Sequence, residues 1–342
     1  MPESYSEAAS QPVLSVVVIG RNEGQKLRDC LRSVRGIKNV PGPIPVVYAD
    51  SNSSDGSPQA AAEEGAEVIE LKAPRLTAAL GRNAGWQHCH TDFVLFLDGD
   101  TILDPGFAAS ALATLHTDPM IAAVSGHLRE LRPQASIYNR ILDLDWIAPP
   151  GDLAFCGGIA LMRRSVLEKV NGYDNSLTAG EEPDMCRRMR ELGYRIVHID
   201  APMTGHDLDM TRFGQYWKRS VRTGYAYAEV ASRYRHTADP FWEAEHRHNL
   251  QRGTFWIVSL VIALAASLFW ISPVPALLWL AMAAALSLRS AWLARWKSHD
   301  PWTLLLYGIH SHFQQLPIMI GQLQFERRSE KRNKRMESKA DA

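Results

Sequence analysis

Cysteine is scarce and scattered. The four, Cys30, Cys89, Cys156 and Cys186, make neither a CxxC pair nor a metal-finger spacing, which excludes a small disulfide-stapled scaffold and points to reduced thiols. Net charge is missing as well. Lys plus Arg number 37 against 37 for Asp plus Glu, so no overall field draws the chain to nucleic acid, and none is expected as a partner. Internal repeats and low-complexity tracts are absent. The first stretch, MPESYSEAASQP, is polar and lacks a basic n-region and an apolar h-region. No secretory leader is expected, and residues 1–12 read as a disordered start.

What the chain does have is alternation. Short β-branched runs at Val13–Ile19, Ile44–Ala49, Glu67–Leu71 and Phe93–Leu97 read as strands. Helix candidates lie between them at Glu23–Val34, Ser57–Glu64 and Leu76–His88. Strand–helix alternation predicts an α/β domain with a mainly parallel sheet, and such sheets hold ligands at the carboxyl ends of their strands. Three of these strands end in polar motifs: GRNEG after the first, DSNSSDGS after the second, DGDT after the fourth. A further helix (Glu182–Leu192) and strand (Arg195–Ile199) follow.

Beyond His206 the character changes. A helical projection of Thr211–Ala228 places Arg212, Gln215, Lys218, Arg219 and Arg222 on one side, with Phe213, Trp217, Val221 and Tyr225 on the other. Such a basic amphipathic helix suits a membrane interface or a protein surface. Thr254–Ile271 is an uncharged run, about 27 Å long as a helix, enough to span a bilayer. The turn SPVP and a second apolar run, Ala276–Leu288, follow it. Arg247 and Arg252 precede the pair, Arg295 and Lys297 follow it, and the turn carries no cation. The positive-inside rule then predicts a helical hairpin over 253–297 with both ends cytoplasmic. Trp302–Phe325 carries His310, His312, Gln314, Gln315 and Pro317. It reads as an interfacial or re-entrant segment, with a third membrane crossing as the alternative, ahead of a basic tail at 326–342.

The carboxylates raise the chemical question. Asp98 and Asp100, one glycine apart at a strand end, suit a hard divalent cation that also holds phosphate oxygens. An ordinary acidic turn has the same look. Asp50 and Asp55 sit in a hydroxyl-rich loop where a base or ribose could bind, although Ser51 and Asn52 also serve as turn formers and caps. Arg82 is a candidate for contacting the nucleotide, or else part of a solvated helix face.

Taken in order, SVVVIGRNEG, VVYADSNSSDGS, AALGRNAG, FLDGDT, CGGIALMRRSVLEKVNGYD and GEEPDMCRRMRELGYRI resemble family 2 glycosyltransferases over about residues 13–200, which implies a GT-A (Rossmann-like) domain at 13–205. The resemblance implies that Arg21, Glu23, Asp50, Asp55 and Arg82 hold the nucleotide of a nucleotide-sugar donor. It also implies that Asp98 and Asp100 hold Mn2+ or Mg2+, with Asp100 as the direct ligand. The family's base comes from an acidic pair at a helix start. Here Glu182 matches the usual Asp; Glu181 stands next and Asp184 third. Gly157 and Gly158 would let the backbone approach donor or acceptor. His206 could be a third metal ligand, an acceptor contact, or a capping or packing histidine. Gln215, Trp217, Arg219 and Arg222, in a stretch similar to the QxxRW element of membrane-bound synthases but lacking its final Trp, would face the acceptor or the membrane interface.

The expected protein is therefore an inverting, metal-dependent glycosyltransferase at the cytoplasmic face of the cell inner membrane, with residues 206–252 as an interfacial region. Its donor would be a UDP-linked sugar and its acceptor a lipid-linked saccharide or polyprenyl phosphate. A processive polysaccharide synthase and a catalytically inactive membrane scaffold are the alternatives.

Overall fold

The computed structural model describes residues 12–340; the start and the final two residues of the tail lie outside them. In chain order the first elements are β1 (Leu14–Gly20), α1 (Gln25–Arg35), β2 (Val46–Asp50), α2 (Ser57–Glu63), β3 (Glu67–Glu70), α3 (Ala78–Gln87), β4 (Phe93–Asp98), β5 (Thr101–Leu103), α4 (Phe107–Thr117) and β6 (Ile121–Glu130). Next come α5 (Ile137–Asp145), β7 (Gly151–Leu153), β8 (Ala160–Arg163), α6 (Arg164–Lys169), α7 (Glu181–Glu191) and β9 (Arg195–His206). The last five are α8 (Phe213–Tyr234), α9 (Glu243–Phe269), α10 (Val274–Leu293), α11 (Pro301–Phe313) and α12 (Gln315–Ala340). The chain divides into two compact units. Unit 1 comprises residues 1–131, 146–177 and 181–208; unit 2 comprises 132–145, 178–180 and 209–342.

Unit 1 is a sheet with strand order β3-β2-β1-β4-β8-β6-β9-β5, and β7 pairs with β9. β1 pairs in parallel with β2 and β4, and β2 with β3. β8 runs antiparallel between β4 and β6. The period-2 geometry of a strand splits the apolar runs between two cores. Val16, Val18, Leu95 and Leu97 meet Leu27 and Leu31 of α1 and Phe107 of α4 on one face. Val17, Ile19, Val94 and Phe96 meet Trp86 of α3 and Met185 and Met189 of α7 on the other. The fold is the mainly parallel α/β arrangement expected, and it puts the ends of β1, β2 and β4 along one edge. β9 differs from expectation. It runs on past Ile199 to His206, because β6 pairs along its length and β5 along its last residues, so the ladder carries it through Pro202.

Unit 2 is helical. The 132–145 segment, which the linear reading leaves inside the first domain, joins it through a buried polar chain. Tyr216 donates to His310 Nδ1 at 2.8 Å, and His310 Nε2 faces Asp145 at 3.3 Å. Tyr307 also donates to Asp145 at 3.0 Å, and Lys297 to the Leu144 carbonyl at 2.7 Å. α8 buries Tyr216, Ser220 and Gly224, one step beside the apolar side of its projection, and leaves Phe213 exposed. Glycine explains the shift, since α8 and α12 touch backbone to backbone. A Cβ on Gly224 would lie 1.9 Å from the Ile318 carbonyl oxygen, and one on Gly321 2.0 Å from that of Val221.

α9 and α10 are, among the described residues, the helices long and apolar enough to cross a membrane, and they are nearly unburied. Phe269, Trp270 and Ile271 at their turn are 65–94% exposed. The run Trp302–Phe325 is two helices, not one, broken at Gln314. Pro317 lacks an N–H, so it can stand in the first turn of α12 but not continue α11 through the break. α12 buries Gln322, whose amide donates to His246 Nδ1 at 2.9 Å.

Gly321→Ala separates two effects of opposite sign. Helix propensity alone favours Ala by about 1 kcal/mol, whereas forcing a methyl into a backbone contact costs typically 1–3 kcal/mol or more. The expected outcome is a lower unfolding midpoint for unit 2 in detergent; a higher one would refute the close crossing.

Candidate active site

The site is built on the carboxyl edge of unit 1. The loop after β2 is braced from below by Asp50. This carboxylate is 1% exposed and accepts from Tyr48 Oη at 2.9 Å and from Ser53 Oγ and N at 2.5 and 2.7 Å. Ser53 Oγ in turn accepts from Asn22 N at 2.9 Å, tying this loop to the one after β1. Asp55 accepts from Ser57 N and Oγ at 3.0 and 2.7 Å, just ahead of α2. The structure thus places Asp50 and Asp55 in the loop's framework and leaves Arg21 exposed.

The Asp98-Gly99-Asp100 turn packs on the end of β1, with Gly99 N donating to Ile19 O at 2.8 Å. Glu23 lies alongside. Burial, then the neighbouring Asp100 and Asp98, push its carboxyl above the usual range. Burial also pushes Asp100 up, with His206 opposing and Asp98 adding to the rise. Lys26 opposes the rise at both Glu23 and Asp100 without cancelling it. His206 arrives on the extended end of β9, its Nε2 3.5 Å from Asp100 and its ring 5.2 Å from that of Trp146. Its Nδ1 is buried without a hydrogen-bond partner. Lys26 pairs with Asp207 at 3.1 Å.

Arg82 departs from its expected place. It is 4% exposed and donates through Nη2 to Asp98 at 2.9 Å and through Nη1 to Glu181 at 3.0 Å. Burial rules out the solvated face, and one guanidinium ties the turn after β4 to the acidic start of α7. Gly158 makes room for it, since a Cβ there would lie 2.5 Å from Arg82 Nη2. Gly157 has φ +82°, a left-handed conformation that favours glycine.

The three candidate bases have separate surroundings. Glu181 is held by Arg82. Asp184 is 2% exposed and paired with Arg188 at 3.0 Å, one helical turn on. Glu182 Oε1 accepts from Cys156 N at 2.8 Å and from the Cys186 thiol at 3.1 Å. Burial pushes the Glu182 carboxyl up, and the Cys186 and Cys156 hydrogen bonds offset part of the rise. A carboxylate of raised pKa accepts a proton more readily than an exposed one. The two thiols have no spacing signature, so sequence reasoning missed them; they meet only because α7 packs against the 154–158 loop. Gln215, Trp217, Arg219 and Arg222 belong to unit 2. There Gln215 Oε1 accepts from Thr211 N and Arg212 N at 3.0 and 2.8 Å, capping α8. Trp217 packs on Phe213 and Phe313, while Arg219 and Arg222 are exposed.

Crowding at Asp100 has a measurable consequence. A carboxyl whose folded pKa is raised stabilises the fold below its unfolded value and loses that contribution as pH rises through the folded value. In the presence of chelator, Asp100→Asn should raise the thermal midpoint by a few degrees at pH 7.5, with the difference shrinking as pH falls into the carboxylate range. A variant less stable than the parent at pH 7.5 would rule out the crowding.

Comparison with known proteins agrees with this geometry. The family model described as Glycosyl transferase family 2 matches residues 15–170. The one described as Glycosyl transferase family group 2 matches residues 93–294, more than half of the chain. Among curated proteins, the pre-mycofactocin glycosyltransferase of Mycobacterium tuberculosis is 28% identical over 235 residues, covering 65% of this chain and 48% of that protein. The poly-beta-1,6-N-acetyl-D-glucosamine synthase of Staphylococcus aureus is 24% identical over 225 residues, 62% of this chain and 54% of that protein. The chain spans about half the length of these relatives. Among solved structures, a mannosyltransferase from Pyrobaculum calidifontis in complex with GDP-Man and Mn2+ superposes with a TM-score of 0.64 at 20% identity, over 91% of this chain and 87% of that one. With its GT-A fold and its matched motifs, this chain belongs to glycosyl transferase family 2.

Proposed function

We propose that this protein is an inverting, metal-dependent glycosyltransferase. It would take a sugar from a UDP-linked donor to a lipid-linked saccharide or polyprenyl phosphate at the cytoplasmic face of the cell inner membrane. The observation that carries the reading is the Arg82 bridge, which ties Asp98 at the end of β4 to Glu181 at the start of α7, the proposed donor-side and acceptor-side carboxylates. The names of both curated relatives support sugar transfer.

The residues present fit a hard divalent cation. Asp98 and Asp100 offer oxygen, the crowded carboxyls of Glu23 and Asp100 gain from a neighbouring positive charge, and His206 keeps an unspent buried nitrogen. Asp100, Asp98 and His206 would hold the ion, which when bound supplies charge neutralisation for the leaving diphosphate. Glu182 is the base, accepting the proton of the acceptor hydroxyl, and its raised pKa makes it more basic than an exposed carboxylate. Arg82 fixes where Asp98 and Glu181 stand. The framework carboxylates Asp50 and Asp55 shape the nucleotide loops from beneath, and Arg21 and Glu23 line the opening. α9 and α10 anchor the chain as a hairpin. An anionic head group would be drawn to the exposed Arg219 and Arg222 of α8.

Variants at the acidic helix start test the base. Glu182→Gln keeps the shape of the side chain but accepts no proton near neutral pH. Transfer should fall by roughly 10²-fold or more while donor affinity, read by thermal shift, barely moves. Glu181→Gln weakens the Arg82 bridge and should act mainly on acceptor contacts and stability. Asp100→Ala should abolish metal-dependent donor binding. Near-full turnover in both glutamine variants would discard the mechanism.

Membrane topology is tested separately. A reporter after Lys297 should read cytoplasmic and one within residues 272–275 external; a cytoplasmic signal from the turn would exclude the hairpin.

A further inference from the structure

Cys156, Cys186 and Glu182 form, among the described residues, a group whose ligand atoms all lie within 4.8 Å of one another. The two sulfurs are 3.6 Å apart, and Glu182 Oε1 is 3.5 Å from Cys156 Sγ and 3.1 Å from Cys186 Sγ. Bonds of about 2.3 Å to sulfur and about 2.1 Å to oxygen at tetrahedral angles set ligand atoms roughly 3.6–3.8 Å apart. Two edges of the triangle already match that geometry, and the third opens with a small rotation of the Glu182 carboxylate.

We propose that these three side chains are a second metal site, for a thiophilic divalent cation such as Zn2+, and that its occupancy stops transfer by capturing the Glu182 carboxylate. The chemistry of the donor set separates it from the first site. Asp98 and Asp100 offer only hard oxygen, suited to Mg2+ or Mn2+, whereas two thiolates select zinc over both. Three protein ligands leave the fourth position for water. The elements are suitably rigid. Cys186 and Glu182 stand one turn apart on α7, where a helix brings i and i+4 to one face. Cys156 is pinned by its own N–H to Glu182 Oε1 at 2.8 Å. A cation here would also clamp the Gly157-Gly158 loop to α7, so its effect should fall on the acceptor step more than on donor binding. The inhibitory half of the proposal rests on Glu182 being the base; the metal site itself does not.

The full chain in detergent, reduced with a phosphine and stripped by chelator, is titrated with Co2+ and then Zn2+. The expected result is one equivalent bound, with a thiolate-to-cobalt charge-transfer absorption that Zn2+ bleaches, and loss of that absorption in Cys186→Ser and Cys156→Ser. The paired variants guard against one of them failing to fold. With Mn2+ or Mg2+ in excess, Zn2+ should cut transfer by at least tenfold while the donor-induced thermal shift is kept. In Cys186→Ser, measured against its own zinc-free rate, that inhibition should disappear. Cobalt bound without the charge-transfer band, or equally in both serine variants, overturns the site. A normal band with undiminished transfer overturns the inhibition. The zinc-free rate of Glu182→Gln then says whether the base assignment has fallen with it.

Discussion

One buried guanidinium organises unit 1. Arg82 has given up nearly all its hydration, and a desolvated cation is tolerable only where carboxylates surround it. Asp98 and Glu181 supply that surrounding from elements far apart in the chain, joined by bonds spanning 16 and 99 residues. The turn after β4 and the start of α7 are therefore not independently adjustable. Gly158 belongs to the same constraint, for a side chain there would displace Arg82. So does Tyr173, whose ring lies 5.7 Å from the guanidinium carbon.

The electrostatics of the edge follow from that commitment. Because Arg82 is spent on Asp98 and Glu181, Glu23 and Asp100 are left with Lys26 and, for Asp100, His206 as opposing charge, and burial carries both carboxyls up. Glu182 also rises by burial, but it is enclosed among thiols and backbone amides rather than among acids. Two kinds of buried carboxylate thus stand on one edge. Glu23 and Asp100 have acidic neighbours as well, which calls for a cation. Glu182 has none of these, which leaves it free to take a proton.

Much of this was legible in the sequence because the signals are local. Apolar runs of period two followed directly by GRNEG, DSNSSDG and DGD mark strands whose ends carry chemistry, and β1, β2 and β4 stand where those runs stand. Pairings across long separations were not legible. Nothing in the residues around Asp145 announces a hydrogen bond to His310, so the 132–145 segment could not be moved to unit 2. Cys156 and Cys186 lack spacing because they meet across a loop and a helix. Arg82 reads as a nucleotide contact or a solvated helix face; its burial arises from the partners folded over it. The burial stripe of α8 fell one step from its projection because hydrophobicity scales do not register a backbone contact through Gly224 and Gly321.

The Asp145–His310 contact also dictates an order of events during synthesis. The two residues are 165 positions apart, so α5 leaves the ribosome long before α11 exists. Every strand of unit 1 has emerged by His206, and its sheet can close while α5 still waits. Ile141, Leu142 and Leu144 are buried in the finished protein, and α5 can meet α8 through Tyr138 and Tyr216 well before α11 is made. Release of a chain interrupted before α11 would therefore leave a finished sheet with α5 short of its last partner, the kind of incompletely buried surface that chaperones and quality-control proteases recognise.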